Sequence, residues 1–176
     1  MNYIFDLDNT LIYSDAANNL AYKEAVRNVV NSDLQIDGGR ITRSDIAARF
    51  PNMSAAVLSK IIAAKERLYP QFFDRTLLNP ALLNILKHLA ANQKKTILLT
   101  YGGQNRVAQL LEYYGIGKYF SEKYFKEDFG KISKYKFATD VLALNSQKIV
   151  LFENETDGQR EAVRDGFAAH NIIKIV

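Results

Sequence analysis

Cysteine is absent from the 176 residues, and histidine occurs only as His88 and His170. The first absence excludes disulfides, thiolate nucleophiles and cysteine zinc sites. It also fits a cytoplasmic protein, as does an opening segment, MNYIFDLD, without the basic start and small-residue cleavage site of a secretory signal. The scarcity of histidine excludes histidine-rich metal sites and leaves a Ser-His-Asp triad few candidates. No apolar run approaches the roughly 18 residues that span a bilayer, so no membrane partner is expected. Internal repeats, low-complexity tracts and linkers are missing too.

Charge of one sign is only mildly in excess. A net charge of +4 and a pI of 9.2 invite a nucleic-acid partner. In the most basic stretch, 118–136, six lysines stand against Glu122, Glu127 and Asp128, without one arginine. It matches no nucleic-acid-binding module, and reads more simply as a positive flank that attracts a small anionic substrate.

With 48% hydrophobic and 24% charged residues, the chain is globular and long enough for one well-buried core with a small second lobe. Five short apolar runs read as strands: 3–7, 96–100, 119–124, 148–152 and 172–176. Helical patterns lie between most of them, which predicts a parallel sheet with crossover helices. Asn79 and Pro80 open one helix as cap and first-turn proline, with Leu82, Leu83, Leu86 and Leu89 on one face. Others are expected over 104–114, stopped by Gly115, and over 133–144 and 158–164.

From about residue 14 to 76 the alternation breaks. No strand signal occurs there. Tyr22, Val26, Val29 and Val30 make one apolar stripe, and Leu58, Ile61, Ile62 and Leu68 another. Asp37-Gly38-Gly39 and Phe50-Pro51-Asn52 punctuate them. Such a helical lobe can close over a site, exclude water and select substrate. Its Arg27, Arg43, Arg49 and Lys65 could meet an anionic substrate, although charged helix residues are usually solvated.

The chemistry-bearing residues stand where strands end. Asp6 and Asp8, in FDLDNTLI, project to one side of an extended backbone at the carboxyl end of the first strand. Two acids that close suit a division of labour, one ionised as nucleophile or metal ligand and the other handling a proton. Asp-Asn-Thr is also ordinary turn chemistry. Thr100, Tyr101 and Gly102 follow the second strand, where a hydroxyl and loop N–H groups can cradle a phosphate. Lys131, after Gly130, could neutralise a phosphate as a compact point charge, although Lys134 and Lys136 are equally basic neighbours. The fourth strand runs into Glu153, Asn154, Glu155, Thr156 and Asp157, hard oxygen donors suited to Mg²⁺ and equally to a helix amino terminus.

In this order the four signals resemble the haloacid dehalogenase superfamily, in its phosphoglycolate phosphatase and β-phosphoglucomutase branch. FDLDNTLI looks like the family's DxDxT signature, GKISKYKF is similar to GKPxPxxF, and FENETDGQREAVRDGF is similar to EDSxxGxxAxxxAG. The resemblance implies an α/β fold: a Rossmann-like three-layer core with a mainly parallel five-stranded sheet over 1–13 and 79–176, plus a small all-helical cap over 14–78. It implies a Mg²⁺-dependent phosphatase acting on a small phosphorylated metabolite through an aspartyl-phosphate. Asp6 would be nucleophile and metal ligand. Asp8 would be general acid–base, its main-chain carbonyl touching the metal. Lys131 would be the basic catalytic residue, and Thr100, Tyr101 and Gly102 would bind phosphate. Glu153 and Asn154 would complete the metal site. A sugar phosphomutase, or a catalytically weakened binding or regulatory protein, shares the pattern; dehalogenation would leave Asp8 without a role.

Three residues depart from the family. Asn154 replaces a metal-binding carboxylate, which should weaken the cation unless Glu153, Glu155 or Asp157 compensates. Tyr101 places a ring where a small residue is usual, and Tyr13 stands where many relatives carry Asp.

Overall fold

The computed structural model describes residues 1–35 and 38–176. Of the turn Asp37-Gly38-Gly39, Asp37 lies outside the described residues; Gly38 and Gly39 have φ of 73° and 70°. In chain order the elements are β1 (Asn2–Phe5), β2 (Ile12–Tyr13), α1 (Asp15–Val30), α2 (Arg43–Arg49), α3 (Ala55–Leu68), β3 (Leu77–Leu78) and α4 (Pro80–Ala91). There follow β4 (Lys95–Leu99), α5 (Gln104–Tyr113), β5 (Glu122–Tyr124), α6 (Lys126–Phe129), α7 (Lys134–Lys136), β6 (Ile149–Glu153), α8 (Thr156–Arg164) and β7 (Ile172–Lys174). The chain divides into two compact units, Met1–Ile12 with Leu78–Val176, and Tyr13–Leu77.

The first unit is an α/β fold around a five-stranded parallel sheet ordered β5-β4-β1-β6-β7. β1 is central, with Ile4 opposite Ile97 of β4 and Leu151 of β6. Ile4 and Phe5 point to opposite faces, and both are fully buried, so each face of the sheet is covered. Phe5 stacks on Phe152 at 4.7 Å between ring centroids and meets the edge of Phe120 at 5.9 Å.

All five expected strands form, and their ends shift for identifiable reasons. β1 stops at Phe5 because the Leu7 carbonyl turns out of the ladder to accept the N–H groups of Thr10, Leu11 and Ile12 at 3.0–3.2 Å. Asn9 takes φ of 59° to close that loop, a conformation asparagine tolerates better than most residues. β5 begins late because Gly117–Tyr119 winds into a 3₁₀ turn and Thr96 holds the Tyr119 carbonyl through its hydroxyl at 2.7 Å. The helix expected over 133–144 starts at Lys134, capped by the Ser133 hydroxyl, and widens into a π turn over Phe137–Val141. The two-residue strands β2 and β3, without any sequence signal, pair where the chain passes between the units.

Asn79 does more than cap α4. Its side-chain oxygen accepts the Leu82 N–H at 3.1 Å, its amide donates to the Thr10 carbonyl at 3.3 Å, and its own N–H bonds the Leu11 carbonyl at 2.9 Å. One residue thereby ties the start of a helix to the loop after β1.

The Tyr13–Leu77 unit is helical and has its own core of Tyr22, Ala25, Val26, Leu34, Ile41, Ile46, Ile61 and Ala64. Arg27 is solvated beside Glu24 and Asp33, as its place on a helix face suggests. Lys65 is buried instead. Its ammonium pairs with Glu66 at 3.2 Å and lies 5.3 and 5.0 Å from the ring centroids of Tyr22 and Tyr69. Among the described residues no helix is long and apolar enough to cross a membrane.

Asn79→Ala removes both the cap and the tie to Thr10, and is expected to cost about 1–2 kcal/mol. A urea-unfolding midpoint equal to that of the parent protein would contradict the tie.

Candidate active site

Asp6 is fixed first by its backbone. Its N–H continues the ladder to the Phe152 carbonyl at 3.1 Å, which places the side chain at the carboxyl ends of β1 and β6. The side chain is buried, and both oxygens are engaged: Oδ1 accepts from Lys134 Nζ at 2.7 Å, and Oδ2 from the Thr10 hydroxyl at 3.0 Å. The same Lys134 ammonium donates to Glu153 Oε2 at 2.9 Å. Glu153 also accepts the Tyr135 hydroxyl on Oε2 at 2.6 Å and the Glu155 N–H on Oε1 at 3.0 Å.

Gly158 makes this packing possible, because a Cβ there would lie 2.9 Å from the Tyr135 hydroxyl and 3.0 Å from the Glu153 carboxyl carbon. The glycine in the α8 pattern thus has a steric reason.

The charges are strongly coupled. Burial pushes Asp6 up to about 7; Lys134 pulls it back, while Glu153 and Asp8 push it further up. Burial works against the Lys134 charge as well, but Asp6, Tyr135 and Glu153 outweigh it and hold the ammonium well above the ordinary lysine range. Burial also raises the Tyr135 hydroxyl, which keeps it a donor to Glu153.

Asp8 lies a loop residue beyond Asp6 in a bidentate pair with Arg106 of α5, at 3.1 and 2.7 Å. Asp6, Asp8 and Glu153 thus stand beside the cations Lys134 and Arg106.

The lysine at Asp6 stands three residues after the expected one. Lys131 is exposed, and the ammonium at Asp6 belongs to Lys134. Gly130, with φ of 59°, ends α6, and Ser133 caps α7, so the first residue inside α7 is the one delivered to the strand ends. Thr100 is buried at the end of β4, where its hydroxyl accepts the Gly102 N–H at 3.0 Å. Tyr101 is half exposed. Its hydroxyl accepts the Lys134 N–H at 3.2 Å and donates to Glu161 at 3.0 Å, while its ring centroid lies 5.2 Å from Lys134 Nζ. The ring therefore braces α7 against α8.

Thr10, Arg106 and Tyr135 were not singled out from the sequence. Thr10 is the threonine of the FDLDNT segment itself, so a signal existed. For Arg106, one arginine on an amphipathic helix, there was none.

Mg²⁺ takes hard oxygens, commonly one or two carboxylates with a substrate phosphate, and keeps several waters. Asp6 Oδ2 and Asn154 Oδ1 fit, because both lie against one Thr10 hydroxyl, at 3.0 and 2.9 Å, and so converge. The Glu153 carboxylate accepts from Lys134 and Tyr135 on Oε2 and from the Glu155 N–H on Oε1. The Asp8 carboxylate is likewise committed to Arg106. Among the described residues no three Asp, Glu or His side chains group as a ready metal site. Among the described residues, Asp6 Oδ2 and Asn154 Oδ1 are thus two side-chain oxygens that converge.

Acids at the carboxyl ends of adjacent parallel strands, bridged by a buried lysine, lie where Rossmann-like α/β sheets place their ligand sites. Residues 3–151 match the model of the haloacid dehalogenase-like hydrolase family, and the chain belongs to that family. A search of curated protein sequences gave no match. Among solved structures, a predicted phosphoglycolate phosphatase of Haemophilus somnus shares 16% identity with a TM-score of 0.81, over 98% of this chain and 84% of that one. A family IA hydrolase of Entamoeba histolytica shares 20% identity with a TM-score of 0.80, over 99% and 83%. A Thermotoga maritima protein provisionally named a β-phosphoglucomutase shares 19% identity with a TM-score of 0.72, over 100% and 86%. The fold is common to all three.

Removing the Lys134 ammonium leaves two buried carboxylates without their counter-charge. Lys134→Ala is therefore expected to destabilise the protein by about 3–5 kcal/mol, and Lys131→Ala by no more than about 0.5 kcal/mol. Equal shifts in denaturant midpoint would contradict the assignment of Lys134 to the site.

Proposed function

We propose that this protein is a phosphatase that hydrolyses a small phosphorylated metabolite through an aspartyl-phosphate on Asp6, with Mg²⁺ as its cofactor. The observation that carries the reading is the buried Asp6 carboxylate, pinned by its own backbone and held by Lys134 and Thr10. Phosphate monoester hydrolysis is so slow unaided that enzymes supply rate factors of up to about 10²¹. A covalent intermediate divides that barrier into two smaller ones.

In the first half-reaction an Asp6 oxygen bonds phosphorus in line as the ester oxygen leaves. In the second, water attacks the aspartyl-phosphate, Asp8 accepts its proton, and the Asp6 carboxylate is restored. Lys134 orients Asp6 and offsets negative charge at the transferring group, the role first expected of Lys131. Thr100, Gly102 and the loop N–H groups at the start of α5 are the candidates for phosphate oxygens, with Tyr101 bracing Lys134 beside them. Phosphatases of this family generally use Mg²⁺, and the bound ion would supply Lewis-acid stabilisation of phosphoryl oxygens. Asp6, Asn154 and the Asp8 main-chain carbonyl would hold it. In chain order the helical unit has the place of the family's cap, and the exposed Arg43 and Arg49 are its candidates for substrate selection. Transfer of the phosphoryl group to a sugar shares the first half-reaction; product analysis with a β-glucose phosphate separates the two.

Asp6→Asn is expected to abolish turnover on a panel of phosphorylated metabolites while thermal unfolding stays cooperative. Parent-level activity in that variant would remove Asp6 from the nucleophile role. Asn154→Asp restores a second carboxylate and is expected to tighten Mg²⁺ in a calorimetric titration. An unchanged isotherm would show that residue 154 is not a ligand.

A further inference from the structure

Glu112 is the one acid between Asp74 and Glu122, whereas the same stretch carries Arg75, Lys87, Lys94, Lys95, Arg106 and Lys118. The fold sorts these cations. Arg106 goes to Asp8, at the carboxyl ends of the strands. The lysines go to the opposite edge of the sheet: Lys95 opens β4, Lys94 stands in the turn before it, Lys87 near the end of α4, and Lys118 in the 3₁₀ turn before β5. The Lys123 side chain returns to the same place, its Cε 3.8 Å from where a Cβ on Gly117 would lie. Lys118 and Lys123, which the sequence offers as a flank for a small substrate, thus stand at the edge away from Asp6.

Tyr119 is the centre of the group. Lys87 Nζ and Lys118 Nζ, from distant stretches of chain, lie 5.9 and 5.4 Å from its ring centroid. Its carbonyl accepts the Thr96 hydroxyl at 2.7 Å, and the Ser121 N–H bonds the Thr96 carbonyl at 2.8 Å, so the ring stands on backbone that the sheet holds. Among the described residues, Lys95 alone of these five lysines has a carboxylate partner, Glu122 at 2.6 Å. Lys87, Lys94 and Lys118 are exposed. Tyr113, where α5 ends just before this turn, is 54% exposed. The carboxyl ends of α4 and α5 favour cations here, which lets the lysines gather in the unliganded protein.

We propose that this edge binds single-stranded nucleic acid, with the lysines on successive backbone phosphates and Tyr113 stacked on a base. The lysines are spread over a helix end, two turns and two strands, so a small anion would meet one or two of them and a chain of phosphates meets them all. An array of phosphates alone has no use for an exposed tyrosine beside the lysines. A strand with unstacked bases does, because every base offers a face to stack. The lysines act as point charges and no groove for base edges is needed, so binding is tolerant of sequence. The surface is independent of the phosphatase reading.

The test is fluorescence anisotropy of labelled oligo-U and oligo-dT with the full chain, from about 50 to 200 mM salt. Kd is expected between about 1 and 100 μM at physiological salt, and log K to fall against log salt with a slope of about −3, the mark of about four phosphates neutralised on a single strand. Either oligonucleotide bound in this way supports the proposal, and the tighter one names the polymer. Lys87→Glu with Lys118→Glu is expected to weaken binding at least about tenfold, and Tyr113→Ala at least about fivefold. Lys94→Glu repeats the test if the double variant does not fold. Lys23→Glu with Lys60→Glu makes the same change of net charge on exposed positions of the helical unit, and is expected to leave affinity within about twofold. An equal loss in that control overturns the proposal, as does no binding at about 50 mM salt. Binding to phosphatidylserine vesicles but to neither oligonucleotide overturns it too. So does inorganic polyphosphate bound as tightly as oligo-U with Tyr113→Ala unchanged, which would show a surface for phosphate alone. Folded Asp6→Asn is expected to bind as the parent protein does; loss of binding there would place the polymer at the catalytic edge and overturn the assignment.

Discussion

Everything at the strand ends depends on one ammonium group. Lys134 Nζ lies 2.7 Å from Asp6 and 2.9 Å from Glu153, all three buried. A carboxylate taken out of water costs several kcal/mol even after the protein relaxes around it. Two of them side by side are tolerable only because a cation stands between them. The contact joins three distant stretches of chain, the ends of β1 and β6 and the start of α7. The neighbouring positions then follow from close approach. Gly158 is small so that Tyr135 can reach Glu153, and Tyr101 spans from the Lys134 N–H to Glu161.

The sheet explains why these residues meet. With β1 central and parallel to both neighbours, the residues just past β1, β4 and β6 leave the same edge of the sheet. Asp6, Thr100 and Glu153 occupy that edge because their parallel strands end within a residue of one another, not because they are close in sequence. The loop after Asp6 is held by its own carbonyl at Leu7 and by Asn79, so the acids sit on rigid backbone. A carboxylate held in this way needs little rearrangement for the attack on phosphorus proposed for it.

Much of this was legible in the residues, and the remainder was hidden for physical reasons. Strand runs such as 96–100 and 148–152 are continuous and apolar because both sheet faces are covered, and that signal survives folding well. Asp6, Thr100 and Glu153 were legible because strand ends carry chemistry in such sheets. Lys131 was expected beside Asp6 and Lys134, three residues on, stands there, since both are basic and only the cap at Ser133 decides which one enters the helix. Arg106 was invisible because nothing local separates it from a solvated helix arginine; only the fold brings Asp8 to it. Glu153 was expected as a metal ligand from its strand end; that it accepts from Lys134, Tyr135 and the Glu155 N–H shows only in the fold. β2 and β3 have two residues each, too few for any periodicity to show.

The central claim is that Asp6 itself receives the phosphoryl group. Acid-quenching the protein within one turnover of a ³²P-labelled phosphoryl donor, followed by peptide mapping, tests it most directly. The account predicts an acyl-phosphate adduct on the peptide that contains Asp6, and it fails if donor is consumed while the label stays off that residue.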